Sequence, residues 1–205
     1  MSRHLNMVFW GMLIVMVDIN LGFLNIFPNF VGYFIIYKGL KGLSIGYKLS
    51  EAEEIYLSQN VRDSFAIGIL PAKIMAGITF IMFVISPFKA EFSGDVVFFA
   101  TMIKSLSLLG EICVIYSILR GIHLEATSRG WKDKADMALN RWHVYLVTTV
   151  IVIIYSAYFI NFYYDSDFND VLTFSVYGIS ILVKIFLLTL TKGTSNAIKY
   201  SGDYI

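Results

Sequence analysis

Apolar positions in this chain gather into long stretches instead of alternating with polar ones. Four stretches, at 64–88, 96–119, 144–163 and 171–191, have about the 20 residues a helix needs to cross a bilayer. A fifth, from Leu5 to Tyr37, is too long for one crossing and short for two. It is interrupted by Asp18, Asn20, Gly22, Asn25 and Pro28. Proline suits the first turn of a helix and pushes the residue before it out of helical geometry. The pattern therefore predicts a helix over 5–21, a turn over 22–27 and a second helix over 28–43. That second helix has only Pro28–Tyr37 before it meets Lys38. It either reaches the far interface by lysine snorkelling or forms half of a re-entrant hairpin covered by protein. Both alternatives return the chain to the side on which it started. The predicted fold is an all-α integral membrane protein, a six-segment helical bundle in one domain that opens on a short or re-entrant hairpin.

Composition narrows the class further. The chain is 57% hydrophobic and 15% charged over 205 residues, whereas globular domains carry about 25% charged residues. With 16 basic against 15 acidic residues there is no basic excess of the kind that marks nucleic-acid binding. The single Cys113 excludes an internal disulfide framework and a cysteine-based metal cluster. The N-terminal run lacks a small-x-small cleavage pattern and reads as a retained segment.

Sorting the charges by segment gives an orientation. Arg3, Lys38, Lys41, Lys48, Arg62, Arg120, Arg129, Lys132, Lys134, Arg141, Lys192 and Lys199 fall on one side, and Lys89 alone on the other with Asp165, Asp167 and Asp170. Basic residues mark the cytoplasmic side, so both termini are expected inside, at a cell membrane. Phe88, Phe92, Phe162 and Tyr163 fall at the outer rim and Trp131 and Trp142 at the inner one, as an aromatic belt requires.

Two connectors remain on the basic side. In 44–63, Ser50 and Glu53 have capping-box spacing, and Leu57, Val61 and Phe65 follow at intervals of four. A short surface helix feeding the third segment is expected, serving as a structural connector or as a docking surface for a cytosolic partner. In 120–143, Trp131, Ala135, Ala138 and Trp142 share one helical face, with Lys132 and Lys134 elsewhere. This reads as an interfacial helix on the headgroups, with Trp131, Lys132, Lys134 and Trp142 as a candidate cytoplasmic interface. The alternative is charge that only sets topology.

Ionisable residues inside spans are expensive and mark candidate sites. Lys73, Lys104, Glu111 and Lys184 form the candidate intramembrane polar set, with Glu111 and Lys184 expected to pair between helices. Lys73, two residues after Pro71, is placed to donate to the freed carbonyl of Ile67. The set either pins helix register or lines a path for an anionic or lipid-like ligand. A second candidate site is Asp18, Asn25 and Asn29 at the first hairpin, whose side chains also suit a tight turn. His4, His123 and His143 are scattered without zinc spacing, and no nucleophile elbow or phosphate loop is present. No cofactor, metal or catalytic role is therefore expected.

The elements Asp18-Ile19, Pro28-Asn29-Phe30-Val31-Gly32-Tyr33 and Gly39-Leu40-Lys41-Gly42-Leu43 resemble the opening hairpin of small, uncharacterised multispanning proteins of Gram-positive bacteria. The resemblance covers residues 18–43. It implies a bacterial cytoplasmic membrane and a helical fold, and carries over no activity. Asn29 stands where that family has an aspartate, which weakens any carboxylate pair there. The functional expectation is a non-catalytic membrane component that binds a membrane or cytosolic protein partner. The alternative is a small transporter or channel.

Overall fold

The computed structural model describes residues 1–17, 20–21, 24–25, 28–45, 52–85, 95–162 and 167–202. They form α1 (Ser2–Met16), β1 (Asn20–Leu21), β2 (Leu24–Asn25), α2 (Asn29–Ile45), α3 (Ala52–Ile67), α4 (Ile69–Ile85), α5 (Asp95–Ser128), α6 (Lys132–Phe162) and α7 (Asp167–Gly202). Apart from the two-residue antiparallel ladder, which pairs Asn20 with Asn25 and Leu21 with Leu24, the described architecture is a helical bundle. Four stretches are long and apolar enough to cross a membrane: Gln59–Val84, Ser107–Ser128, Lys132–Tyr155 and Phe174–Ser201. Neither α1, with 15 residues, nor α2, with 17, is among them.

The opening hairpin follows the expected plan with a shorter first arm. Helix α1 stops at Met16, before Asp18, and α2 starts directly after Pro28. The two arms pack antiparallel through missing side chains. A Cβ on Gly32 would stand 2.8 Å from the carbonyl oxygen of Gly11, and one on Gly42 would enter the His4 ring. Close backbone approach of this kind requires small residues. The N-terminus of α1 is then tied to the end of α7. Ser195 Oγ donates to the Ser2 carbonyl at 2.9 Å, and Lys192 Nζ to Asn6 Oδ1 at 2.5 Å.

Helices α3 and α4 form one rod broken at Gly68. Pro71 has no N–H to return to the Ile67 carbonyl, so the helical ladder is interrupted here. A side chain from α5 fills part of the gap. Ser117 Oγ accepts the Gly68 N–H at 3.0 Å and donates to the Ser64 carbonyl at 2.7 Å. Beside it, Phe65 is fully buried against Gly121, where a Cβ would lie 2.3 Å from the ring. The expected surface helix of 44–63 thus exists from Ala52 and runs into the third segment. Of its capping pair, Ser50 and the side chain of Glu53 lie outside the described residues. Of its expected stripe, Val61 and Phe65 point into the core.

The connector expected over 120–143 is different in kind. Helix α5 continues to Ser128 and α6 starts at Lys132, so the only non-helical residues are Arg129, Gly130 and Trp131. Gly130 takes φ +71°, and Trp131 N–H bonds the Ala126 carbonyl at 2.8 Å while Gly130 N–H bonds that of Thr127 at 3.1 Å. Those two bonds close a helix end through a left-handed glycine. At 34, 31 and 36 residues, α5, α6 and α7 are each roughly 50 Å long, well beyond a hydrocarbon core of about 30 Å. Each is longer than one crossing needs, and Arg129 beside the turn bonds Ser201 near the end of α7, so the three helices share this end, called here the basic end.

Candidate functional site

Of the four intramembrane candidates, two meet. Lys184 Nζ of α7 lies 2.7 Å from Glu111 Oε1 of α5. Their side chains are 30% and 15% exposed, so the pair is sheltered without being sealed. Tyr33 of α2 and Tyr145 of α6 are buried beside the carboxylate. Beneath the pair is a cavity of about 30 Å³, walled by Met12, Tyr33, Ile36, Val114 and Leu187 among others. That is room for one or two waters. A carboxylate among Met, Ile, Leu and Val side chains is costly to desolvate, and removing its ammonium partner leaves that cost uncompensated.

Lys73 is not part of this group. It is exposed on α4, and no bond joins it to Glu111 or Lys184. The side chain of Lys104 lies outside the described residues, although its backbone belongs to α5. Asp18 lies wholly outside the described residues, as does the side chain of Asn25. Asn25 enters the short ladder through its backbone, paired with Asn20, and Asn29 opens α2.

The candidate cytoplasmic interface needs correcting in its direction. Ala135 and Ala138 are buried, and Trp131 and Trp142 pack against the bundle core. The Trp142 ring stands 5.0 Å from that of Tyr116 on α5. Trp131 is held between cations, with the Arg129 guanidinium 5.3 Å and Lys134 Nζ 5.0 Å from its ring centre. The apolar stripe therefore faces the neighbouring helices rather than a headgroup layer. The physical reason is that α6 continues unbroken into its apolar half, so the stripe has protein to cover it. Of the four residues, only Lys132 is fully exposed.

Several polar ties at this end were not singled out in the sequence. Glu125 is fully buried and accepts from Arg129 Nε at 2.7 Å, while Arg129 Nη1 reaches Ser201 of α7 at 3.0 Å. The four-residue spacing of Glu125 and Arg129 is a visible helical pairing signal; the burial is not visible, because it depends on how the helices pack around α5. Arg141 bonds the Phe186 carbonyl and, at 3.1 Å, the Thr189 hydroxyl. His123 Nδ1 lies 3.0 Å from the Ala135 carbonyl, across the α5–α6 turn. Among the described residues, no group of three His, Cys, Asp or Glu is arranged to hold a metal.

Comparison with protein-family models, with curated proteins and with solved structures finds no match for this chain.

Proposed function

We propose that the chain is a multi-pass membrane protein with both termini on the cytoplasmic side, acting as a non-catalytic component that binds a protein partner through its basic end. One observation carries the reading: the molecule divides along its axis. Exposed apolar side chains such as Phe80, Ile81, Val147, Ile154, Phe174 and Leu182 occupy one half. Most of the described lysines and arginines and a dense packed core occupy the other. Four crossings and a returning hairpin bring both termini to the basic end, in line with the bias of basic residues to the cytoplasm.

Crosslinking in native membranes followed by purification tests the partner. Recovery of a stoichiometric protein, lost when Lys132, Asp133 and Asp136 are charge-reversed, is the expected result. Recovery of the chain alone, with or without those changes, sinks the proposal.

Transport of an anionic ligand is the second reading, favoured by the Glu111–Lys184 pair over its cavity. Against it stand the closed pair, the small volume and the distant exposure of Lys73. Anion flux through reconstituted vesicles that disappears in Glu111→Gln would make transport the better reading.

A further inference from the structure

Helix α2 has two faces. Gly32, Tyr33, Ile36, Gly39, Leu40 and Leu43 are buried against α1 and α4. Opposite them, Phe34, Lys38, Lys41 and Ile45 follow one another by four, three and four residues, the spacing of a single helical stripe. All four are exposed, Phe34 at 47% and Ile45 at 65%. The stripe is therefore apolar at both ends and doubly cationic in the middle.

This stripe borders an open groove of about 590 Å³, lined by His4, Tyr37, Lys38, Lys41, Gly42 and Ile45. At its floor Gly42 has no side chain, and the His4 ring of α1 takes the space its Cβ would fill. His4 Nδ1 is buried and has no hydrogen-bond partner among the described residues. Lys38 Nζ is held 4.6 Å above the Phe34 ring, which keeps one cation at the boundary between apolar and polar surface. Among the described residues, no carboxylate lines the groove or is bridged to either lysine.

Its height on the bundle matters. Leu40 packs at Gly68, next to Ser117, while Phe30 packs on Phe80 and Phe83. Lys38 and Lys41 are thus at the basic end of α2, and Phe34 points toward the apolar half.

We propose that this groove holds the headgroup of an anionic phospholipid, its phosphate between Lys38 and Lys41 and an acyl chain running along Phe34. Charge complementarity selects the anion, and the apolar continuation above the lysines selects a lipid over a free phosphate. The proposal rests on the membrane reading above.

The test starts with alkaline carbonate extraction of membranes holding the full-length protein. Release into the supernatant defeats the membrane reading itself. If the protein stays in the membrane, it is purified in mild detergent and titrated with phosphatidylglycerol, phosphatidylcholine or inorganic phosphate, with native mass spectrometry counting bound molecules. Phosphatidylglycerol is expected to bind at one site, and K38Q/K41Q to weaken it by roughly 20- to 30-fold, from about 1 kcal/mol per lysine. The matched R120Q/K199Q variant, with the same loss of charge, is expected to bind like the wild type. Equal losses in both double variants, or equal binding of phosphatidylcholine, overturn the proposal. Inorganic phosphate that competes at comparable concentration, with the same lysine dependence, overturns the lipid and leaves a soluble phosphate site. Both double variants alter exposed side chains, and thermal melts of each check that the fold is retained.

Discussion

The two halves of this bundle are stabilised by different means. In the apolar half, α4, α6 and α7 turn large side chains such as Phe80, Ile154 and Phe174 outward, and Gly77 and Gly178 have no atom within 4 Å of where a Cβ would stand. In the basic half, Leu5, Leu40, Phe65, Ile118 and Ile122 are fully or almost fully buried, and the space beside Gly39, Gly42 and Gly121 is filled by neighbouring helices. The hydrogen bonds between helices described above also lie in that half, from Ser117–Gly68 to Lys192–Asn6. Surrounding lipid is as apolar as a leucine side chain, so it gives helices little reason to associate. Where water is the solvent, burial of the same side chains drives close packing. On the membrane reading proposed above, the chain carries a water-style core at one end and a lipid-facing surface at the other, with Glu111 and Lys184 near the junction.

The contrast is most sharply broken by overfilling the packed half. Gly39→Leu places atoms against the His4 carbonyl and the Val8 side chain, and the α1–α2 contact cannot relax around backbone. A loss of about 3 kcal/mol or more is expected, read as a large drop in melting temperature in detergent. A melt within a few degrees of the wild type would show that the arms are not closely packed.

The next effect tests the junction. Lys184→Met leaves Glu111 without its ammonium and should cost on the order of 2 kcal/mol, reduced from the cost of a fully buried pair because both side chains are partly exposed. Adding Glu111→Gln should recover much of that loss. Additive losses in the double-mutant cycle would mean that the pair contributes no coupling.

Ser117→Ala removes the hydroxyl that bridges the break between α3 and α4. A loss of about 1–2 kcal/mol follows, since the Gly68 N–H is left without that acceptor. In the apolar half the sign reverses. Gly77→Ala has open space around it and improves helix propensity, so a gain of up to about 1 kcal/mol is expected. Destabilisation by Gly77→Ala would mean that this face is covered.

The smallest effect is a pH dependence at the α1–α2 contact. Burial lowers the pKa of His4, helped by the positive N-terminus and Arg3. A histidine depressed on folding contributes stability above its unfolded pKa of about 6.5, and loses it as pH falls through the lower folded value. The wild type should therefore lose more melting temperature on acidification than His4→Gln. Parallel curves for the two would remove His4 as the cause.

Much of this plan was legible in the chain itself. Apolar stretches of spanning length, the break at Pro28 and the surface helix before the third segment all follow from local pattern, because hydrophobic length and proline geometry act within a few residues. The meeting of Glu111 and Lys184 could be anticipated because both are charges at matching depth. Other features depended on which helix stands opposite. The stripe of Trp131, Ala135, Ala138 and Trp142 has the pattern of a membrane-surface helix, and only the continuation of α5 and α6 past their apolar halves turned it inward. Ser117 was inconspicuous until the Gly68 break met it, and Glu125 until the bundle buried it.

The sequence by itself determined the helices, their apolar lengths and the gathering of basic charge at one end, since each is set by the residues within one segment. Tertiary structure decided that Lys73 stands apart from the charge pair, which aromatic stripe is buried and which lysines are left facing a groove. Those outcomes depend on contacts between residues as far apart as Asn6 and Lys192, and no local pattern encodes the partner a side chain will meet.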